Sequence, residues 1–232
     1  GIPYLPAMVM AILLVLLIGL TMERYLFRPK REDPLGGLIT SIGVLFILQV
    51  AALLVGGTGP AKQVTPAFPG TLILYEFMRI PHQRLFSLAI SVAALIILWL
   101  FLTRTKLGWS MRAVAQDREA ASLQGININR TCLFAMGISA SLAGLAGALM
   151  APISNIYPHM GHNVIITAFI VTIVGGLGSL SGAVLAAFLY ALLHTFVTAY
   201  FSGTVASMAG LLLMVVVLII KPSGIMGKRV SE

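Results

Sequence analysis

The sequence predicts an all-α fold, a polytopic bundle of about seven transmembrane helices. Composition is the first reason: 59% of the residues are hydrophobic, 9% are charged, and the mean hydropathy is +1.00. Soluble domains carry about 25% charged residues. Distribution is the second reason. The apolar residues gather into segments 4–21, 36–55, 85–102, 131–150, 163–176, 182–200 and 206–220, none of which contains Asp, Glu, Lys or Arg. The third is the placement of the basic residues, which sit at the ends of these segments and favour alternate ends along the chain.

Segment 4–21 is too long for the apolar core of a signal peptide and has no basic residues before it, so it reads as a true span. The chain opens on Gly1 rather than Met, and is expected to be a fragment or trimmed at that end. Most of the other segments approach the ~20 residues needed to cross hydrocarbon. Segments 163–176 and 206–220 are short by that measure and are expected to be partial or tilted helices. Residues 56–84 contain Pro60, Pro66, Pro69 and Pro81 and read as an irregular external loop, either a solvated connector or a docking surface. Segment 131–150 places small residues four apart, as in Ala140/Gly144/Ala148 and Ser139/Ala143/Gly147. Lipid supplies no hydrophobic drive between helices, so such faces let backbones pack closely. Packing within the chain is the plain reading of that pattern, and a subunit interface is the sharper one.

Charge orients the set. With the N-terminus outside and the C-terminus inside, twelve of the 15 basic residues fall on inner segments, and only Lys62, Arg79 and Arg84 on outer ones. This is the positive-inside pattern. The net charge of +8 therefore reports topology. It does not mark a nucleic-acid surface, because the basic residues form no patch interleaved with aromatics.

On that orientation residues 103–130 form a polar, helix-prone island on the cytoplasmic side. Ser110 can cap a helix there and Gly125 can end it, since glycine readily takes the left-handed conformation at a helix C-terminus. Met111, Val114, Ala115 and Leu123 mix with Arg112, Gln116, Asp117 and Arg118, giving weak amphipathicity, and Ala113, Ala120 and Ala121 leave a low-relief surface. By physics alone the island is equally a docking site for another protein or a helix lying on the inner leaflet.

The pattern Glu119-Ala120-Ala121-x-x-x-Gly125 resembles the EAA loop of ABC-importer permeases. The longer string from Arg112 to Asn127 is similar to the branched-chain amino acid permeases of high-affinity uptake systems. Three further stretches agree, in the expected order: Glu23-Arg24 with Arg28-Pro29, Gly175-Gly176-Leu-Gly178-Ser179 with Gly182-Ala183, and Lys221-Pro222-Ser-Gly224-Ile. The Ile-x-Leu-Pro continuation of the general importer motif is absent. Family members also run longer at the N-terminus, so the first one or two spans of the family are expected to be missing.

The resemblance implies a single transmembrane permease domain over residues 1–232, of the ABC-importer permease type, with 103–130 as its coupling-helix loop. It implies an ATPase-coupling interface at Arg112, Ala113, Asp117, Glu119, Ala120, Ala121, Gly125 and Ile126. The expected partners are two cytoplasmic ATPase subunits, a second related permease, an external substrate-binding protein and membrane lipid. The expected location is the inner (plasma) membrane. The implied function is ATP-driven import of leucine, isoleucine and valine by alternating access, with urea, amides or other amino acids as the alternative cargo.

Other signals are weaker. Gly175, Gly176, Gly178 and Gly182 lack the Lys followed by Ser or Thr of a phosphate-cradling loop, and read as a flexible break, either a hinge or a second cytoplasmic contact. No Walker motif occurs, so no cofactor is expected and ATP hydrolysis is assigned to another polypeptide. His159 and His162 have no nearby Asp, Glu or Cys to complete a metal site. Cys132 reads as a small core residue. His194 lies inside a span, where an ionisable group is a functional candidate by default; a neutral imidazole bonded to a neighbouring helix is the plain alternative. It is the one feature that favours an ion-coupled secondary carrier. The spans hold no cluster of acid, base and nucleophile, which disfavours a membrane enzyme.

Overall fold

The structure, a computed structural model, describes residues 3–30, 34–56, 64–65, 70–75, 78–176 and 178–227. Each of the seven apolar segments becomes a helix: α1 (Tyr4–Met22), α2 (Pro34–Gly56), α3 (His82–Arg104), α6 (Ile128–Met150), α7 (Met160–Gly175), α8 (Leu180–Tyr200) and α9 (Gly203–Ile220). Two shorter helices, α4 (Lys106–Gln116) and α5 (Arg118–Leu123), lie between α3 and α6. Five helices are long and apolar enough to cross a membrane, namely α1 with its extension, α3, α6, α8 and α9; the apolar stretch Ile39–Val55 and α7 are shorter. Large side chains such as Leu17, Ile97, Phe188 and Leu212 are exposed on these helices, as expected where lipid is the solvent.

The backbone after α1 continues as a π-helical turn at Glu23–Phe27 and a 3-10 turn at Arg28–Lys30. One expectation about connectors is corrected. The segment 56–84, expected to be an irregular external loop, is not wholly irregular, because Thr71–Tyr75 (β1) and Met78–Pro81 (β2) form an antiparallel hairpin with a bulge between Ile73 and Tyr75. Its first strand is the run Thr-Leu-Ile-Leu-Tyr, rich in residues that suit a pleated surface. Pro81 closes the hairpin at the strand end, where a missing N–H is tolerated. Pro60, Pro66 and Pro69 lie outside the described residues.

The chain forms two compact units, Gly1–Pro158 and His159–Glu232. In the first, α1 and α6 run antiparallel and supply its main helix–helix contact. A Cβ on Gly19 would fall on the Ala140 side chain, and one on Gly144 would lie 3.1 Å from Ile12 Cα and from Val15 Cβ. The small residues of α6 therefore fall into two sets. Ala140 and Gly144 are buried against α1, whereas Ser139, Ala143 and Gly147 are exposed, with nothing within 4 Å of a Cβ on Gly147.

Polar contacts fix which helix ends lie together. Tyr4 Oη donates to the Ala148 carbonyl at 2.8 Å, Ser87 Oγ donates to the Leu149 carbonyl at 3.4 Å, and Gln83 Nε2 reaches Tyr4 Oη at 3.5 Å. The starts of α1 and α3 thus share an end with the finish of α6. This is the alternation the segment order demands.

In the second unit, Ile170 and Val174 of α7 and Ala186 and Tyr190 of α8 form the buried core, flanked by Leu213, Met214 and Val217 of α9. Tyr190 packs against Gly210, where an added Cβ would sit 2.5 Å from ring atom Cε2.

Close backbone packing makes a simple prediction. Gly19→Val is expected to lower the stability of the detergent-purified protein by about 1–3 kcal/mol through overpacking. Gly147→Ala is expected to leave it unchanged or raise it by up to ~1 kcal/mol. Thermal unfolding of the two variants side by side checks both.

Candidate functional site

The island between α3 and α6 is built from capped short helices. Thr105 Oγ1 accepts from the Gly108 amide at 3.0 Å and caps α4. Gly108 then lets α4 fold tightly onto the end of α3, since a Cβ there would lie 2.6 Å from Leu102 Cα. Asp117 is extended, with φ −151° and ψ 115°, and its carboxylate accepts from the Ala120 amide at 3.0 Å to start α5. Gly125 ends α5 with φ +79°. The Ile126 amide returns to the Ala121 carbonyl at 3.1 Å and the Gly125 amide to the Ser122 carbonyl at 3.0 Å. This pair of bonds is the Schellman arrangement. Asn127 Oδ1 accepts from the Arg130 amide at 3.1 Å and opens α6.

These bonds correct the expectation of one helix running from Ser110 to Gly125. Ser110 is no cap: its hydroxyl donates to the Lys106 carbonyl inside α4. The extended Asp117 resets the helical phase, so the expected apolar face is split. Val114 is buried, while Leu123 is 89% exposed. Ala121 is 4% exposed and turned inward, so it packs within the unit and contributes nothing to a low-relief outer surface.

Of the predicted interface residues, the structure groups Asp117, Glu119 and Ala120 on the exposed side of α5, with Leu123 beside them. Ala121 and Ile126 anchor the turn from inside, and Gly125 supplies its left-handed backbone. Ala113 is half-buried on α4, and Arg112 is exposed, its guanidinium 4.8 Å from the centre of the Trp109 ring. From the sequence Leu123 belongs to the same apolar face as Val114, and only its helical phase after the break turns it outward; Trp109, exposed on α4, is no part of the predicted interface.

The glycine cluster has a different geometry. Gly175 ends α7, and a Cβ on it would lie 2.6 Å from the Ala183 amide nitrogen of α8. Gly176, at φ +96°, meets Gly227 and Gly224 backbone to backbone. Ile225 and Met226 donate their amides to the Val174 and Gly175 carbonyls at 2.8 and 3.2 Å, satisfying acceptors that the end of α7 leaves free. The Lys221-Pro-Ser-Gly-Ile stretch is thus the cap of α7. Gly182 touches Gly175, whereas Gly178, at φ +82°, has open space around it.

One groove of about 410 Å³ lies on α7 and α8, lined by Thr167, Val171, Ala187, Tyr190, Ala191, His194 and Thr195. His194 is half-buried, with its ring centre 5.7 Å from that of Tyr190. Among the described residues no group of three His, Cys, Asp or Glu is placed to hold a metal ion. Cys132 is a free, half-buried thiol on α6.

The comparisons with known proteins agree on one family. The family model described as "Branched-chain amino acid transport system / permease component" matches residues 1–221. The chain is 29% identical to the high-affinity branched-chain amino acid transport system permease protein BraD of Pseudomonas aeruginosa, over all of this chain and 79% of that protein. It is 28% identical to LivH of Escherichia coli K12, a permease of the same description, over 96% of this chain and 74% of that one. A probable branched-chain amino acid transport permease LivH of Methanocaldococcus jannaschii is 32% identical over 61% of this chain and 47% of its own length. No solved structure matches the chain.

The capped geometry of α5 is itself testable. Gly125→Val forces a β-branched residue to a positive φ, and Asp117→Ala removes the N-cap at a cost of about 0.5–2 kcal/mol. Both variants are expected to speed amide hydrogen exchange across residues 118–126 while leaving exchange in α6 beyond residue 131 unaltered.

Proposed function

The chain belongs to the branched-chain amino acid transport permease family, and from that premise we propose that it imports leucine, isoleucine and valine as the membrane subunit of an ATP-driven transporter in the inner membrane. The observation that supports this most is α5, a short helix held at both ends and presenting Glu119, Ala120 and Leu123 outward. In this reading residues 103–130 face the cytoplasm and seat α5 in a groove of a separate ATPase subunit. Leu123 is the apolar anchor, since an exposed leucine at a helix tip gains on burial about 1.5–3 kcal/mol. Glu119, Asp117 and Arg112 supply the polar rim. ATP is hydrolysed on the ATPases, a second related permease completes the pathway, and an external binding protein delivers the amino acid.

The glycine junction belongs to the same proposal. Gly175 meets Gly182, Gly176 meets Gly224 and Gly227, and the carbonyls of Val174 and Gly175 are paired. That favours a fixed cytoplasmic end-piece, a second contact with the ATPase, over a hinge; Gly178 alone has room to move. All of residues 1–232 belong to one permease domain in this reading.

The assignment is tested at α5. Glu119→Arg and Leu123→Asp are each expected to abolish co-purification of the ATPase and leucine uptake, while membrane insertion is retained. Normal uptake by both would remove α5 from the coupling role. Orientation is tested separately with Ser122→Cys, which is expected to react only with reagents that enter the cytoplasm. Labelling of intact cells by an impermeant maleimide would invert the topology.

A further inference from the structure

We infer that the groove between α7 and α8 is a binding subsite for the amino acid in transit, with its polar edge taking the cargo's ammonium group and its apolar floor the aliphatic side chain. The inference rests on the cargo assigned above and adds the residues that meet it. The groove lies close to the middle of both helices, since Tyr190 is central in Leu180–Tyr200 and Thr167 in Met160–Gly175. Its volume of about 410 Å³ falls within the ~300–1,000 Å³ of small-molecule pockets, which are mostly apolar with a few placed polar groups. Val171, Ala187 and Ala191 supply the apolar part here.

Hydrogen-bond bookkeeping gives the polar edge its character. Thr167 Oγ1 donates to the Asn163 carbonyl at 3.0 Å and shares a 3.3 Å hydroxyl–hydroxyl contact with Tyr190 Oη, in which either oxygen can donate. Thr195 Oγ1 donates to the Ala191 carbonyl at 2.7 Å. Thr198 Oγ1 donates to the His194 carbonyl at 2.6 Å and lies 3.5 Å from the imidazole Nδ1. A neutral imidazole keeps one acceptor nitrogen in either tautomer, and each hydroxyl oxygen keeps lone pairs whichever way its proton points. Tyr190, Thr195 and His194 therefore each bring an acceptor to the groove lining. Three acceptors facing an apolar floor suit a cation carrying a short hydrocarbon chain, which is one end of a branched-chain amino acid. The same groups serving only as helix-to-helix contacts would not need an open volume between them.

The test uses the complete transporter, permease with ATPases and binding protein, in lipid nanodiscs. Leucine carrying a diazirine is bound and photolysed, and labelled peptides are mapped by mass spectrometry. Label is expected on the α7 and α8 peptides that line the groove. It should be suppressed by leucine and by 3-methylbutylamine, which keeps the ammonium, and not by 4-methylpentanoate, which lacks it. Ala187→Leu fills the groove from an exposed position, and is expected to remove the label and lower leucine uptake by about tenfold or more. Phe188→Ala, exposed and outside the groove, should preserve both. Label confined to other helices, competition by the acid instead of the amine, or normal uptake by Ala187→Leu would each overturn the subsite. Failure of the unaltered complex to import leucine would overturn the cargo assignment itself, which uptake by the parent protein shows before any variant is made.

Discussion

Everything in this structure depends on backbones approaching one another where no hydrophobic force pushes them together. Lipid tails are as apolar as the side chains they would replace, so helix association relies on close packing and on satisfied polar groups. The α1–α6 pair meets this demand at Gly19, Ala140 and Gly144, where a single added methyl would collide. The second unit meets it at Gly175, Gly176, Gly182 and Gly224, where three chain segments touch main chain to main chain. The helix ends that these contacts bring together determine where the connecting helices can go. The starts of α1 and α3 lie with the finish of α6, so α4 and α5 must occupy the opposite end.

How far such an arrangement can be read from sequence depends on which force controls each feature. The seven helices were legible because a charge inside hydrocarbon is costly, so no span contains Lys, Arg, Glu or Asp; between Arg130 and Lys221, where no such residue occurs, Pro, Ser, Asn and Gly mark the span ends instead. Their ends were less legible. Helical backbone runs past the apolar stretch wherever a local group sustains it, as at Lys30 after α1 or at Asn127, which caps α6 four residues before the apolar run begins. The hairpin at Thr71–Pro81 is hidden among four prolines, although its first strand is a plain run of strand-forming residues.

The island shows the same division. Gly125 was legible as a helix end because its left-handed backbone is a property of one residue. The break at Asp117 was not, because Asp tolerates both a helix interior and an N-cap, and only the bond to the Ala120 amide decides between them. That one choice turns Ala121 inward and Leu123 outward. The role of Lys221–Ile225 as the cap of α7 was likewise beyond the sequence, since it joins residues about fifty positions apart through main-chain bonds that no side chain announces.

The capping pattern has a mechanical consequence for the proposed coupling. A force applied at an exposed helix reaches the spans only if no slack segment lies between. From Thr105 to Arg130 each junction is closed: Thr105 onto Gly108, Asp117 onto Ala120, Ile126 onto Ala121, and Asn127 onto Arg130. Displacement of Leu123 and Glu119 would therefore be delivered at once to the end of α3 and the start of α6. Because α6 is locked to α1 by glycine contacts, those two helices would move together. Such a machine needs no ionisable residue in these spans to take up energy, which accounts for their lack of Asp, Glu, Lys and Arg. In the subsite proposed on α7 and α8, the imidazole of His194 has the different task of meeting what is carried.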